Sequence, residues 1–465
     1  MNSLKTLLLE RYRCPGSELP DLDIPRNLPQ SKGFFRFGPD AVCYGRVAGD
    51  ARPSLTSNLF DAAGRATYGE QGVSLPFDPK EIIDGLRYEH YSDAGGRWLE
   101  KPGARSIYYW LRPLLPDSLR RRLQKAYLKG WDSFPFPAWP VDRTADIVFE
   151  QILVLALKAS GKPRLPFVWF WPRGHKACAI VTHDIETLAG RNFTTRLLDI
   201  DHEFGIKSSV QIVPEERYEV PAEFLDEIRQ RGCEINVHGL NHDGNLFQDR
   251  ATFVGRARKI NEYAALFGAK GFRSPVMYRN IDWLQELKFS YDMSIPSVAH
   301  LEPQPGGCCT VLPYSLPGGM TELPLTTVQD YTLFHILNDY STTLWQRQMD
   351  AILKGHGLMS FIVHPDYVLS GREQDVYRQL LDELGRTRSK HNVWFAVAGE
   401  VDTWWRERAG MRLIPSGRGW TIEGPGSERA TIAYARLDGE RLVYELPGDE
   451  RSSSDSHTLV REGAC

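Results

Sequence analysis

Two histidines four residues apart, His238 and His242, close a short apolar run (EINV) in a chain of 465 residues. Neutral imidazoles with one carboxylate are a usual three-donor set for catalytic zinc, with a position left for water. If the segment after His238 is helical, residues i and i+4 share a face and the two rings converge. A second apolar run, ACAIVT, leads into His183-Asp184-Ile185-Glu186. Side chains alternate along a strand, so Asp184 and Glu186 point to one side, and Glu186 is the expected oxygen donor. The run ending Gly271-Phe272-Arg273 brings a guanidinium to the same rim, where it could hold Asp184 bidentately. A further run delivers His364, and Asp292 offers a carboxylate to orient that ring and raise its pKa, as a general acid requires. Each residue also has a plain structural reading: Asp184 or Asp292 as a helix cap, a histidine as a satisfied core residue, Arg273 in a surface salt bridge. Their succession at the ends of apolar runs favours one shared site.

Such residues must be carried by rigid elements. From about residue 165 to 409, short apolar runs alternate with amphipathic helical runs, the signature of βα units around a parallel sheet. Strands are expected at 177–182, 208–212, 234–238, 271–273, 321–325, 358–364 and 393–397. Helices are expected between them, among them 222–231 and 251–267, stopped by Gly232 and Gly268. Six or seven such units fit a single α/β barrel, whose working residues sit at the C-terminal ends of its strands.

The flanks read differently. Residues 1–161 form an irregular α+β region containing a basic amphipathic stretch, RSIYYWLRPLLPDSLRRRLQKAYLKGW, followed by an extended Pro-rich connector, FPFPAWPVD. Its plain reading is a solvated helix face; the alternative is a peripheral membrane or polyanion contact through Arg120, Arg121, Arg122, Lys125 and Lys129. The barrel is assigned to 162–409. Residues 410–465 read as a small antiparallel β module, with an Asp-Gly turn, and a frayed tail. Lys plus Arg at 56 against Asp plus Glu at 59 leaves a net charge of -3, so no global field draws the chain to nucleic acid. Seven scattered cysteines without a C-x-x-C spacing point to a reducing compartment. The N-terminal apolar stretch is too short for a signal peptide, and no run approaches the roughly 20 residues that span a bilayer, so a cytoplasmic location is expected. No GxGxxG or GxxxxGK[ST] phosphate loop occurs.

In this order the motifs resemble those of the NodB-homology polysaccharide deacetylases, over roughly the middle half of the chain. The resemblance rests on Thr182-His183-Asp184-Ile185-Glu186, on His238 to His242, on Arg273-Ser274-Pro275, on Asp292-Met293-Ser294 and on Ile362-Val363-His364. It implies a distorted (β/α)7 barrel that removes N-acetyl groups from an amino sugar of a glycan. It further implies Asp184 as base, held by Arg273; Glu186, His238 and His242 as ligands of a divalent metal; and His364, oriented by Asp292, as acid. Zinc is the expected metal, with cobalt, nickel or iron as alternatives. A backbone N–H near Val276 or Met277 would meet the oxyanion. Two positions depart from the family pattern: Ile185 stands where a second aspartate is usual, and Gly239 replaces a hydroxyl residue. Rival readings are a C–N hydrolase acting on a small cyclic amide and a non-catalytic sugar-binding protein on a degraded barrel. A glycosidase is disfavoured, because two carboxylates two residues apart on one strand are nearly parallel and leave no gap for a sugar.

Overall fold

A computed structural model describes residues 3–70, 72–92, 122–126, 128–417 and 419–448. Most of the basic amphipathic stretch, including Arg120 and Arg121, lies outside the described residues; 122–126 is helical.

Eight parallel strands form the centre: β1 Ala177–Ile185, β2 Ser209–Ile212, β3 Glu234–His238, β4 Gly271–Arg273, β5 Tyr291–Asp292, β6 Thr321–Glu322, β7 Leu358–Ile362 and β8 Val393–Phe395. Their order is β6-β5-β4-β3-β2-β1-β7, with β8 also on β1. All nine residues of β1 are buried, as befits a strand covered on both faces. Cys178 pairs with both Leu358 and Trp394, and Thr182 with both Ile362 and Ser209. One edge of β1 therefore carries β7, and the other carries β8 and then β2.

The sheet curls without closing by backbone pairing. Between β6 and β7 the seam is bridged by side chains. Thr326 Oγ1 donates to Leu358 O at 2.7 Å and accepts from Ser360 N–H at 2.9 Å, and Thr327 Oγ1 donates to Ser360 O at 2.7 Å. The result is the expected α/β fold with a distorted barrel. Helices Leu188–Glu203, Ala222–Gln230, Arg250–Phe267, Thr343–Lys354 and Gly371–His391 cover its outside, and Gly232 and Gly268 take left-handed φ of 69° and 63° just past two of them. β5 was not among the expected strands, because two residues give no readable alternation.

The flanking regions pack together against the barrel. Strand Ile432–Asp438 pairs with Arg441–Glu445 on one side and with Arg164–Val168 on the other. The C-terminal β module is thus completed by the strand that precedes the barrel. One hydrophobic cluster joins Leu8, Phe77 and Ile152 of the N-terminal region to Ile180 of β1, Trp404 and Ala433. Burying each large side chain of this kind contributes about 1.5–3 kcal/mol, so the shared cluster binds the three segments into one body. Among the described residues no helix is long and apolar enough to cross a membrane.

Candidate active site

The barrel mouth gathers most of the residues singled out from the sequence. His238, last in β3, is buried; its Nδ1 lies 3.1 Å from Arg273 O. A carbonyl only accepts, so Nδ1 carries the proton and Nε2 presents its lone pair to the mouth. Burial, only partly opposed by Asp184, lowers the His238 pKa to about 4, which keeps the ring neutral as a ligand must be. His242 Nε2 lies 3.0 Å from Glu186 Oε1. Both Nε2 atoms are buried; that of His238 has no hydrogen-bond partner, and that of His242 faces only the Glu186 carboxylate. Two such nitrogens side by side are costly unless something electropositive sits between them. Donor atoms of Glu186, His238 and His242 all lie within 4.8 Å of one another. Two imidazoles and a carboxylate with bare lone pairs suit a divalent cation such as zinc.

The two rings do not converge by a helical turn. Gly239 and His242 both take left-handed φ, 62° and 55°, and the loop between them doubles back to bring the ring centroids to 5.0 Å. Gly239 is required twice over: a Cβ there would lie 2.4 Å from Pro275 Cγ, and only glycine adopts that φ without strain. The departure at Gly239 therefore accompanies a tight loop. Ile185 turns away from the mouth into the core with Leu198, Val210 and Val237, and its carbonyl accepts from Tyr218 Oη at 2.9 Å.

Asp184 is held by Arg273, though through one nitrogen and not two: Nη1 donates to Asp184 Oδ1 at 2.6 Å and to Thr182 Oγ1 at 2.7 Å, while Nε donates to Met293 O at 3.1 Å. Burial would raise the Asp184 pKa, but the adjoining guanidinium holds it below the ordinary carboxylate value. Asp184 is ionised at neutral pH, with Oδ2 3.7 Å from His238 Nε2.

His364 stands across the mouth, its Nε2 3.7 Å from Glu186 Oε1. The carboxylate that orients it is Asp330, not Asp292. Asp330 Oδ1 is 2.6 Å from His364 Nδ1, and Asp330 Oδ2 accepts the His364 backbone N–H at 2.7 Å. Burial would depress this imidazole, yet Asp330 outweighs it and lifts the pKa to about 10. Asp292 lies deeper, where Ser294 Oγ donates to it at 2.6 Å and accepts from Ser274 N–H at 2.8 Å. Its other neighbour is Glu322, whose pKa burial and the Asp292 charge raise well above normal, and burial raises Asp292 as well. Asp292 thus braces the Arg273-Ser274 segment. Asp330 was missed because it opens a short helical segment eight residues after β6, away from any strand end.

Three further groups were not foreseen. Asp366 Oδ2 accepts the Glu186 N–H at 3.1 Å, and Tyr367 Oη donates to Glu186 Oε2 at 3.4 Å, so the segment after His364 steers Glu186. His183, which precedes Asp184 in sequence, faces the helix layer with Nε2 2.7 Å from Asp201 Oδ2. At the far rim Val276 and Met277 both have left-handed φ, 60° and 54°. Met277 N–H is spent on Ser274 O at 3.3 Å, which leaves Val276 as the candidate oxyanion donor.

No family model matches the chain, and no curated protein does. Among solved structures, a provisionally named polysaccharide deacetylase from Mycobacterium smegmatis is similar over 51% of this chain and 93% of its own, at 19% identity and a TM-score of 0.42. PuuE allantoinase is similar over 51% and 92%, at 13% identity and a TM-score of 0.40. Peptidoglycan deacetylase PdaC from Bacillus subtilis is similar over 50% and 93%, at 10% identity and a TM-score of 0.32. At such identities the likeness concerns fold.

Proposed function

We propose that this chain is a metal-dependent hydrolase that removes N-acetyl groups from an amino sugar. The observation that carries the reading is the convergence of the buried Nε2 atoms of His238 and His242 on Glu186, with Asp184 bound to Arg273 and His364 bound to Asp330 on the same mouth. A divalent ion, zinc foremost, would be held by Glu186, His238 and His242, and would polarise an amide carbonyl and make bound water more acidic. Asp184, fixed by Arg273, removes the water proton as the oxygen bonds to the acyl carbon. The Val276 N–H meets the developing oxyanion. His364, kept cationic by Asp330, gives its proton to the amine nitrogen as the C–N bond breaks, which frees acetate and the amino sugar.

Neither family departure weakens this reading. Ile185 packs in the core while Glu186 reaches the histidines, and Gly239 permits the loop that brings His242 back. A cytoplasmic setting is supported by the six described cysteines, all buried free thiols. Elemental analysis of the purified protein, with acetate release from N-acetylglucosamine oligomers assayed beside it, tests the proposal. One equivalent of metal and acetate release are expected. Absence of metal after reconstitution overturns it, and ring-opening of a cyclic amide without acetate release redirects it to that substrate class.

A further inference from the structure

The turn Pro275–Met277 borders the candidate site on two sides, and it is strained. Val276 is β-branched and Met277 long, and neither holds a left-handed φ of 60° or 54° unless its surroundings impose it. From within, the turn is closed by the Met277 N–H bond to Ser274 O. From outside, the Met277 carbonyl accepts from Arg279 Nη1 at 2.8 Å. Arg279 is itself buried and is clamped bidentately by Glu89, with Nε 2.6 Å from Oε2 and Nη2 bonded to Oε1.

Glu89 belongs to the N-terminal region, 190 residues from its partner in sequence. Its Oε1 also accepts the Gly307 N–H at 2.5 Å. Gly306 leaves the room for this: a Cβ there would lie 2.5 Å from Glu89 Oε1. The Arg279 backbone is gripped as well, its N–H by Gln304 Oε1 at 2.9 Å and its carbonyl by Gln304 Nε2 at 3.1 Å. On its inner side the turn presses Pro275 against Gly239, next to His238. Contacts therefore run unbroken from Glu89 through Arg279 and the turn to the loop that carries His238 and His242.

We infer that Glu89, acting through Arg279, is a positioning residue for the catalytic rim: it fixes the Pro275–Met277 turn, the Val276 N–H upon it and the His238–His242 loop behind it. The N-terminal region is then a working part of the site and not an appendage to the barrel. This inference rests on the hydrolytic reading of the mouth only for its kinetic consequence; the anchoring itself does not.

The test uses the full chain with Glu89→Gln, Glu89→Asp and Arg279→Lys. Hydrogen exchange by mass spectrometry should show the 276–279 amides exchanging at least about tenfold faster in Glu89→Gln, since local opening is set by the bonds removed. Acetate release should lose about tenfold or more in kcat, with KM within about twofold, because a misplacement near 1 Å can cost on the order of 100-fold. Glu89→Asp, which keeps the charge, should recover most of that loss. Where Glu89→Gln does not fold, Arg279→Lys carries the same expectations, since an ammonium cannot form the fork. Unchanged exchange at 276–279 in a folded variant overturns the inference whether or not the protein is active. Faster exchange with unchanged kcat overturns the positioning role. If the parent protein releases no acetate, the hydrolytic proposal fails by itself, and exchange alone decides the anchoring.

Discussion

Asp184 and His364 are drawn toward opposite charges, Asp184 chiefly by Arg273 and His364 chiefly by Asp330. Replacing Asp184 by Asn removes the base and leaves the three donors in place, so kcat should fall on the order of 10²–10⁴-fold with metal content unchanged. Metal-replete Asp184→Asn protein that still turns over removes Asp184 from that role. The pH profile should be wide. Activity rises as Asp184 ionises, below the ordinary carboxylate range, and falls as His364 loses its proton near pH 10. Asp330→Asn takes away the charge that holds the imidazole up, leaving burial to push it down. The alkaline limb should then move by two units or more, toward or below the ordinary 6.5. Asp292→Asn, which touches Ser294 and Glu322 and not His364, should leave that limb in place. If the pattern is reversed, Asp292 is the orienting group after all. At this scale the sequence carried residue types and order well. It could not say which of two aspartates would reach His364, because that depends on where the chain after β6 starts its next helical segment.

Elements explain where the reading stopped. β1, β3 and β7 are strands of five residues or more and were legible, whereas β5, at two residues, was not. The convergence of His238 and His242 was expected from helical geometry; the structure achieves it through left-handed residues at 239 and 242, a route that spacing alone does not reveal. Gly239 therefore offers a sharp test. Gly239→Ser restores the hydroxyl of the resembled family, but its Cβ would meet Pro275 at 2.4 Å in a strained conformation. The expected outcome is a destabilisation of about 1–3 kcal/mol and metal affinity lower by roughly 10–100-fold. Calorimetry and a metal titration read both; gain of metal affinity would show that the loop is loose where it is described as tight. The seam is a second place where elements, not strands, matter. Thr326→Val removes two hydrogen bonds between β6 and β7 and should cost about 1–3 kcal/mol, since it also leaves the Ser360 N–H unpaired.

At the scale of the molecule, the three segments read from composition do not stand as separate bodies. Asp146, on helix Thr144–Ser160 of the N-terminal region, accepts from Arg11 Nη2 at 2.7 Å, from Thr310 Oγ1 at 2.8 Å and from Val311 N–H at 3.0 Å. A buried carboxylate thus ties the first helix to the loop before β6. Burial opposes its charge, but Arg11 holds the pKa below the ordinary 3.8. Its stabilisation is complete above that value and is lost as pH falls beneath it. Asp146→Ala strands Arg11 without its partner and should cost about 3–5 kcal/mol. Arg408 makes a comparable tie at the other end: buried, it donates to Arg11 O at 2.9 Å, Val168 O at 2.7 Å and Trp169 O at 2.9 Å. Residues 162–409 expressed alone would expose Phe167 and Trp404 and leave Arg164–Val168 an unpaired edge strand. That fragment is therefore expected to aggregate or to melt without a cooperative transition, whereas the full chain melts in one step. A cooperative, monodisperse fragment in calorimetry and size-exclusion chromatography would mean that the shared core is dispensable, and that the barrel carries its site without help from either flank.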